Sequence, residues 1–170
     1  HHHVEVTPET VDWGYFDPDR EAVLTIESGD TVTVETVTIP QEGHAEFLKE
    51  NGISESDICQ KEVTISKMVE PGPGHVVTGP IYIKGAEPGD VLEVHVRDVE
   101  VSAPYGMNQR GPGGALPDTV FDETTTSVIP FDDQLETALF SKGSRTFVDQ
   151  DIEIPLDPFM GVMGVSPHPP

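Results

Sequence analysis

The run Ala22-Val23-Leu24-Thr25-Ile26-Glu27-Ser28-Gly29-Asp30-Thr31-Val32-Thr33-Val34-Glu35-Thr36-Val37 sets the fold class. It opens with a short apolar stretch of β-favouring residues, Ala22 to Ile26. Ser28-Gly29-Asp30 supplies turn residues. From Thr31 to Val37 the side chains alternate with period two, the pattern of a strand with one buried face. The same grammar returns later. Glu87-Pro88-Gly89-Asp90 reads as a turn, and Val91-Leu92-Glu93-Val94-His95-Val96 continues to Val101 as a long alternating strand. The two Gly-Asp turns, each ahead of a Val-rich run, suggest equivalent hairpins of a sandwich.

Outward from these, Pro8-Glu9-Thr10-Val11-Asp12-Trp13-Gly14 reads as a strand, followed by a turn through Tyr15-Phe16-Asp17-Pro18. Ile81-Tyr82-Ile83 is a short strand, and Thr125 to Pro130 and Ile152 to Leu156 are the last two, with a small hairpin-like region between them. Ala45-Glu46-Phe47-Leu48-Lys49-Glu50 has helical spacing and ends at Asn51-Gly52, a common stop. Ala103 to Pro117 is a Gly/Pro-rich loop. The expected fold is mainly β: a sandwich or distorted barrel of short strands with at most one or two short helices, in a single β-rich domain over residues 1–170.

Composition narrows the partners. The chain has 9 Lys and Arg against 31 Asp and Glu, a formal net charge of −22. Such a surface repels nucleic-acid phosphates and anionic membranes, so neither is expected as a partner. The acids are scattered among β-branched residues, which favours a folded domain over an acidic tail. An acidic, Lys-poor surface fits a high-salt cytoplasm, where ions screen self-repulsion; solubility through net charge is the plainer explanation. The one cysteine, Cys59, excludes an internal disulfide and reads as a small buried hydrophobe. No apolar run is long enough to span a bilayer and no signal-peptide core is visible, so a reducing cytoplasm is the expected location. His1-His2-His3 reads either as the end of a purification tag or as native sequence, and a terminal His run is poor evidence for a metalloprotein.

Three segments in order resemble the acetamidase/formamidase family. They are Trp13-Gly14-Tyr15-Phe16 with Leu24 to Val32; Gly72-Pro73-Gly74-His75-Val76-Val77-Thr78-Gly79-Pro80-Ile81 with Gly85 to Val94; and Ile154-Pro155-Leu156-Asp157-Pro158-Phe159-Met160-Gly161-Val162-Met163-Gly164-Val165. The resemblance spans nearly the whole chain. It implies hydrolysis of formamide, acetamide or related small amides to ammonia and a carboxylate, metal-dependent in some members. It also implies a longer protein, of which this is the N-terminal portion. The family's Asn-Leu-Asp segment after Gly-Val-Met-Gly, and a later His/Asp/Glu-containing loop, are absent before Pro170.

Amide hydrolysis needs a nucleophile, stabilisation of an oxyanion and protonation of the leaving amine. No Gly-x-Ser-x-Gly elbow and no His-Glu-x-x-His helix occurs, so a self-contained serine or classical zinc hydrolase is unsupported. Joined with the resemblance, the expected catalytic residues are His75 and Asn108. His75 sits in a Gly/Pro loop that opens a strand and reads as a metal ligand or acid/base; its plainer reading is a loop histidine bonded to a carbonyl. Asn108 would donate to a carbonyl or oxyanion, unless it is only a turn residue. Thr78, Phe159 and Met163 would line the substrate pocket, the last two as an apolar wall that could equally be ordinary core. His75 and Asp157 would ligate a divalent metal, zinc first and calcium second, though Asp before Pro is common in turns. His44 reads as a surface residue, His95 as a strand residue and His168 as a solvated terminal one. The expected partners are the small amide and either further copies of the chain or a missing C-terminal half. The alternative reading is a non-catalytic β-sandwich that oligomerises or binds a small ligand.

Overall fold

Short strands dominate the computed structural model, which describes residues 1–113, 123–140 and 152–167. The strands are β1 (His2–Val4), β2 (Val11–Trp13), β3 (Leu24–Ile26), β4 (Val32–Val34), β5 (Val76–Thr78), β6 (Ile81–Ile83), β7 (Tyr105–Arg110), β8 (Thr125–Pro130), β9 (Thr137–Phe140) and β10 (Ile152–Pro155). Two α-helices, α1 (His44–Glu50) and α2 (Gln60–Met68), and a single 3-10 turn at Glu55–Asp57 complete the described set. The β-rich expectation holds. The strands pair two by two rather than closing a barrel among the described residues. No helix of these residues is long and apolar enough to cross a membrane.

The chain divides into two compact units. The first comprises His1–His44, Cys59–Val99 and Phe159–Pro170. Its core gathers Val6, Val11, Trp13, Ile65 and Val76, with Val37, Ile39 and Val69 packed against them. β2 and β5 run antiparallel, with Trp13 opposite Val76 and Val11 opposite Thr78. Ile65 of α2 is fully buried in that core. β3 pairs in parallel with β6, and β1 pairs in parallel with β4. His2 and His3 are thus strand residues, opposite Val32 and Thr33.

Two expectations change here. The first Gly-Asp turn is not a hairpin. β3 and β4 flank it but each pairs elsewhere, so the turn is a corner between two sheets. Asp30 N–H donates to the Glu27 carbonyl at 3.1 Å, and the Asp30 carboxylate accepts from Glu27 N–H at 2.9 Å, which closes the corner locally. Second, the run from Val91 to Val101, the strongest alternating pattern in the sequence, forms no strand among the described residues. Alternation reports a side-chain period; a strand also needs a neighbouring backbone to bond.

The second unit comprises Ala45–Ile58 and Glu100–Pro158. β7 and β8 pair antiparallel over six residues, from Tyr105 opposite Pro130 to Arg110 opposite Thr125. Much of the expected 103–117 loop is therefore strand, because six consecutive register positions find partners in β8; residues 114–117 lie outside the described set. β9 and β10 form a second antiparallel pair.

Candidate functional site

His75 is held by its neighbours' backbone. The loop Gly72-Pro73-Gly74 lies so close to the end of β2 that side chains cannot intervene. A Cβ on Gly72 would fall 1.9 Å from the Trp13 carbonyl oxygen, and one on Gly14 would fall 2.1 Å from that of Pro73. Gly14 N–H donates to the His75 carbonyl at 2.9 Å, and the Trp13 indole N–H donates to the Gly74 carbonyl at 3.2 Å. The His75 side chain is exposed and has no hydrogen-bond partner among the described residues, so it is not the carbonyl-bonded loop histidine of the plainer reading. The result is a fixed backbone bearing a free imidazole.

Next along β5, Thr78 is half-buried, and its hydroxyl donates to the Glu35 carbonyl at 2.7 Å. Gly79 N–H donates to the Thr10 carbonyl at 2.9 Å. Thr78 therefore ties β5 to the residue after β4. Glu35 gathers contacts there. Its carboxylate accepts from Lys61 and from Val6 N–H at 3.0 Å, and stands 3.3 Å from His3 Nε2. The Lys61 ammonium, then the Val6 amide and His3, hold the Glu35 carboxyl below the usual carboxylate range against the opposing effect of burial. Glu35 in turn raises Lys61.

A cleft of about 630 Å³ opens beside the loop, lined by Asp12, Trp13, Tyr15, Arg20, Met68, Glu70, Gly72 and Pro73 among others. Arg20 is paired with Asp12 across it. His75 is not in its lining; its carbonyl accepts from Gly14, which follows the lining residue Trp13, and the Trp13 indole bonds the preceding residue, Gly74. The other expected site residues are placed as follows. Asn108 lies exposed in β7 opposite Ser127, and Asp157 lies exposed just after β10, both in the second unit. Phe159 and Met163 lie in the first unit at 81% and 55% exposure. The first unit thus holds His75, Thr78, Phe159 and Met163, and the second holds Asn108 and Asp157. Among the described residues no three His, Cys, Asp or Glu side chains converge as a metal site, so the donor set these residues offer zinc or calcium is incomplete. His168 lies outside the described residues.

A polar pair escaped the sequence reading. His44, expected at the surface, is buried together with Glu62. His44 Nε2 lies 3.0 Å from the Glu62 carboxylate, while Nδ1 accepts Gln41 N–H at 3.1 Å. The other Glu62 oxygen accepts Thr38 N–H at 3.2 Å. The Gln41 amide thus sets the tautomer: Nδ1 is bare and Nε2–H faces the carboxylate. The only sequence signal was Glu62 at i−3 from Ile65, on the helix face that the core claims.

Comparison with known proteins now decides the lineage. Residues 6–170 match the profile of the Acetamidase/Formamidase family. The chain belongs to that family. A Schizosaccharomyces pombe protein assigned as a formamidase is 31% identical over 120 residues, covering 68% of this chain and 26% of its own length. An acetamidase from Bacillus halodurans, solved by crystallography, superposes with a TM-score of 0.61 at 25% identity, over 97% of this chain and 46% of the acetamidase chain. The family member described here therefore spans about a quarter of the curated relative and under half of the solved one.

Proposed function

We propose that this chain is a portion of an amidase that hydrolyses a small linear amide, formamide or acetamide, to ammonia and the carboxylate. The observation that carries this is the backbone-locked Gly74-His75 loop with its uncommitted imidazole, within a chain whose family match covers residues 6–170. Hydrolysis adds water across the C–N bond, so a group must take a proton from the attacking water and the nitrogen must gain one on leaving. His75 is assigned that proton-handling position, or a place beside the group that activates the water. Thr78, Phe159 and Met163, of the same unit, are assigned to substrate. A zinc ion, or less suitably calcium, on His75 needs its other donors from beyond the described residues. A reducing cytoplasm fits the lone Cys59.

The test is ammonia release from formamide and acetamide by the wild type and by His75→Ala, with and without a strong chelator. Turnover by the chain alone is expected to be weak, since it spans 46% of the solved acetamidase. Loss of His75 should lower kcat/KM by about 100-fold or more, with the melting temperature unchanged. A fully active variant removes His75 from the reaction. A second reading, a β-rich module that binds an amide or self-associates without turnover, draws on the same partial coverage. Calorimetric binding of acetamide without ammonia release would favour it.

A further inference from the structure

Two corners of the first unit are built alike, and among the described residues only one of them is followed by a strand with a partner. β3 leads through Glu27–Asp30 into β4; β6 leads, after one extra turn at Lys84–Ala86, through Glu87–Asp90 into Val91. In both, the aspartate N–H bonds the glutamate carbonyl, at 3.1 Å for Asp30 and 3.0 Å for Asp90. In both, the aspartate carboxylate accepts the glutamate N–H at 2.9 Å. Gly29 and Gly89 occupy the same left-handed place, at φ of 92° and 104°. The strands that lead into them, β3 and β6, are paired in parallel from Leu24–Ile81 to Ile26–Ile83.

Beyond the corner the likeness stops. Two residues after Asp30, Val32-Thr33-Val34 takes β1 as a parallel partner. Two residues after Asp90, Leu92-Glu93-Val94 has the same apolar spacing and no ladder partner among the described residues. Val91, Leu92, Val94 and Val96 are 93%, 50%, 49% and 53% exposed. Val99 N–H is taken by the Asp98 carboxylate at 2.9 Å, but the backbone from Val91 to Asp98 makes no ladder bond among the described residues, and such a backbone with an apolar face is a template for strand addition.

We propose that Val91–Val99 receives a parallel strand from the further stretch of polypeptide that family members carry and this chain does not span, entering against Leu92-Glu93-Val94 as β1 enters against Val32-Thr33-Val34. Two observations choose this occupant over a second copy. More than half of the solved acetamidase lies outside the matched region, which supplies the length. And Asp90, Glu93 and Asp98 against Arg97 leave this edge net negative on a chain of −22, so a copy would bring like charge to like. The incoming strand is apolar opposite Leu92 and Val94, with basic residues near Glu93 and Asp98.

The test is hydrogen–deuterium exchange over residues 91–99, on the full chain alone and after co-expression with the unspanned part of the Bacillus halodurans acetamidase as a separate polypeptide. Exchange there should be fast in the chain alone, which should sediment as a monomer, and should slow by about tenfold or more in the complex. Val94→Pro, which removes one donor at an exposed position, should cancel the slowing and leave the melting of the chain alone unchanged. A complex with unslowed exchange overturns the proposal. So does a dimer of the chain alone with 91–99 protected, which would make a second copy the occupant. If the two polypeptides do not associate, the acetamidase itself decides. Its matching strand should be paired in parallel with a strand from the unspanned part, and pairing with the matched part overturns the proposal.

Discussion

Gly72 and Gly14 hold the tightest junction near the candidate site, and each is replaceable only at the expense of that junction. Gly72→Ala would set a methyl 1.9 Å from the Trp13 carbonyl oxygen, with backbone on both sides. It should cost about 3 kcal/mol and displace the His75 loop, read as a lower melting temperature together with lost turnover. Gly85→Ala is the contrast: its φ of 82° is left-handed but nothing lies within 4 Å, so about 1 kcal/mol is expected and no change in turnover. The carboxylates of Asp30 and Glu35 give a second prediction. The Glu27 amide and then His2 lower Asp30, and Lys61 above all lowers Glu35. A carboxyl with a lowered folded pKa binds fewer protons folded than unfolded. Its stabilisation is present above the unfolded carboxylate pKa and is lost as pH falls through the folded value. Thermal melts in acid should therefore fall more steeply for the wild type than for Glu35→Gln, which should be less stable near neutrality. At this scale the sequence made His75 visible, because glycines and prolines around a histidine mark a constrained loop. It could not show the free imidazole, which depends on what fails to arrive from elsewhere in the chain.

At the scale of elements, α2 was hidden by its own residues. Val63-Thr64-Ile65 is β-branched, and a glutamate occupies one of its core positions, so neither propensity nor apolar period marks a helix. His44 makes that glutamate tenable by burying beside it. Glu62→Gln keeps the shape but offers one oxygen where two donors, Thr38 N–H and His44 Nε2–H, must be met. Shifting the His44 proton to Nδ1 would forfeit the bond from Gln41. The substitution should cost about 2–3 kcal/mol, measured by denaturant melts. The strands β2, β3, β4, β6, β8 and β10 were readable from alternation and turn residues, as was α1. Their partners were not. Period two says which face is buried but carries nothing about which backbone lies alongside, and so the β3 corner passed for a hairpin.

At the scale of the molecule, the β-rich class followed from composition and pattern, while the division into two units did not, because it depends on which segments return to one another. Charge acts here as a sum. With −22 on 170 residues, self-repulsion opposes the compact state and salt relieves it. The melting temperature should rise steadily as potassium chloride increases from roughly 0.1 M to well above the screening range, where the Debye length falls from about 10 Å to about 3 Å. A melting temperature indifferent to salt would count against a high-salt habitat.

Trp13 is the chain's single tryptophan, buried, with its indole N–H on the carbonyl of Gly74, the residue before His75. The protein therefore carries its own optical gauge of the candidate site. Emission comes from one fluorophore, and a loop that lifts away must release that carbonyl and let water reach the ring. A red shift on adding an amide would signal that the loop moves; an unshifted spectrum with a change in intensity would signal a ligand received by a loop that stays still.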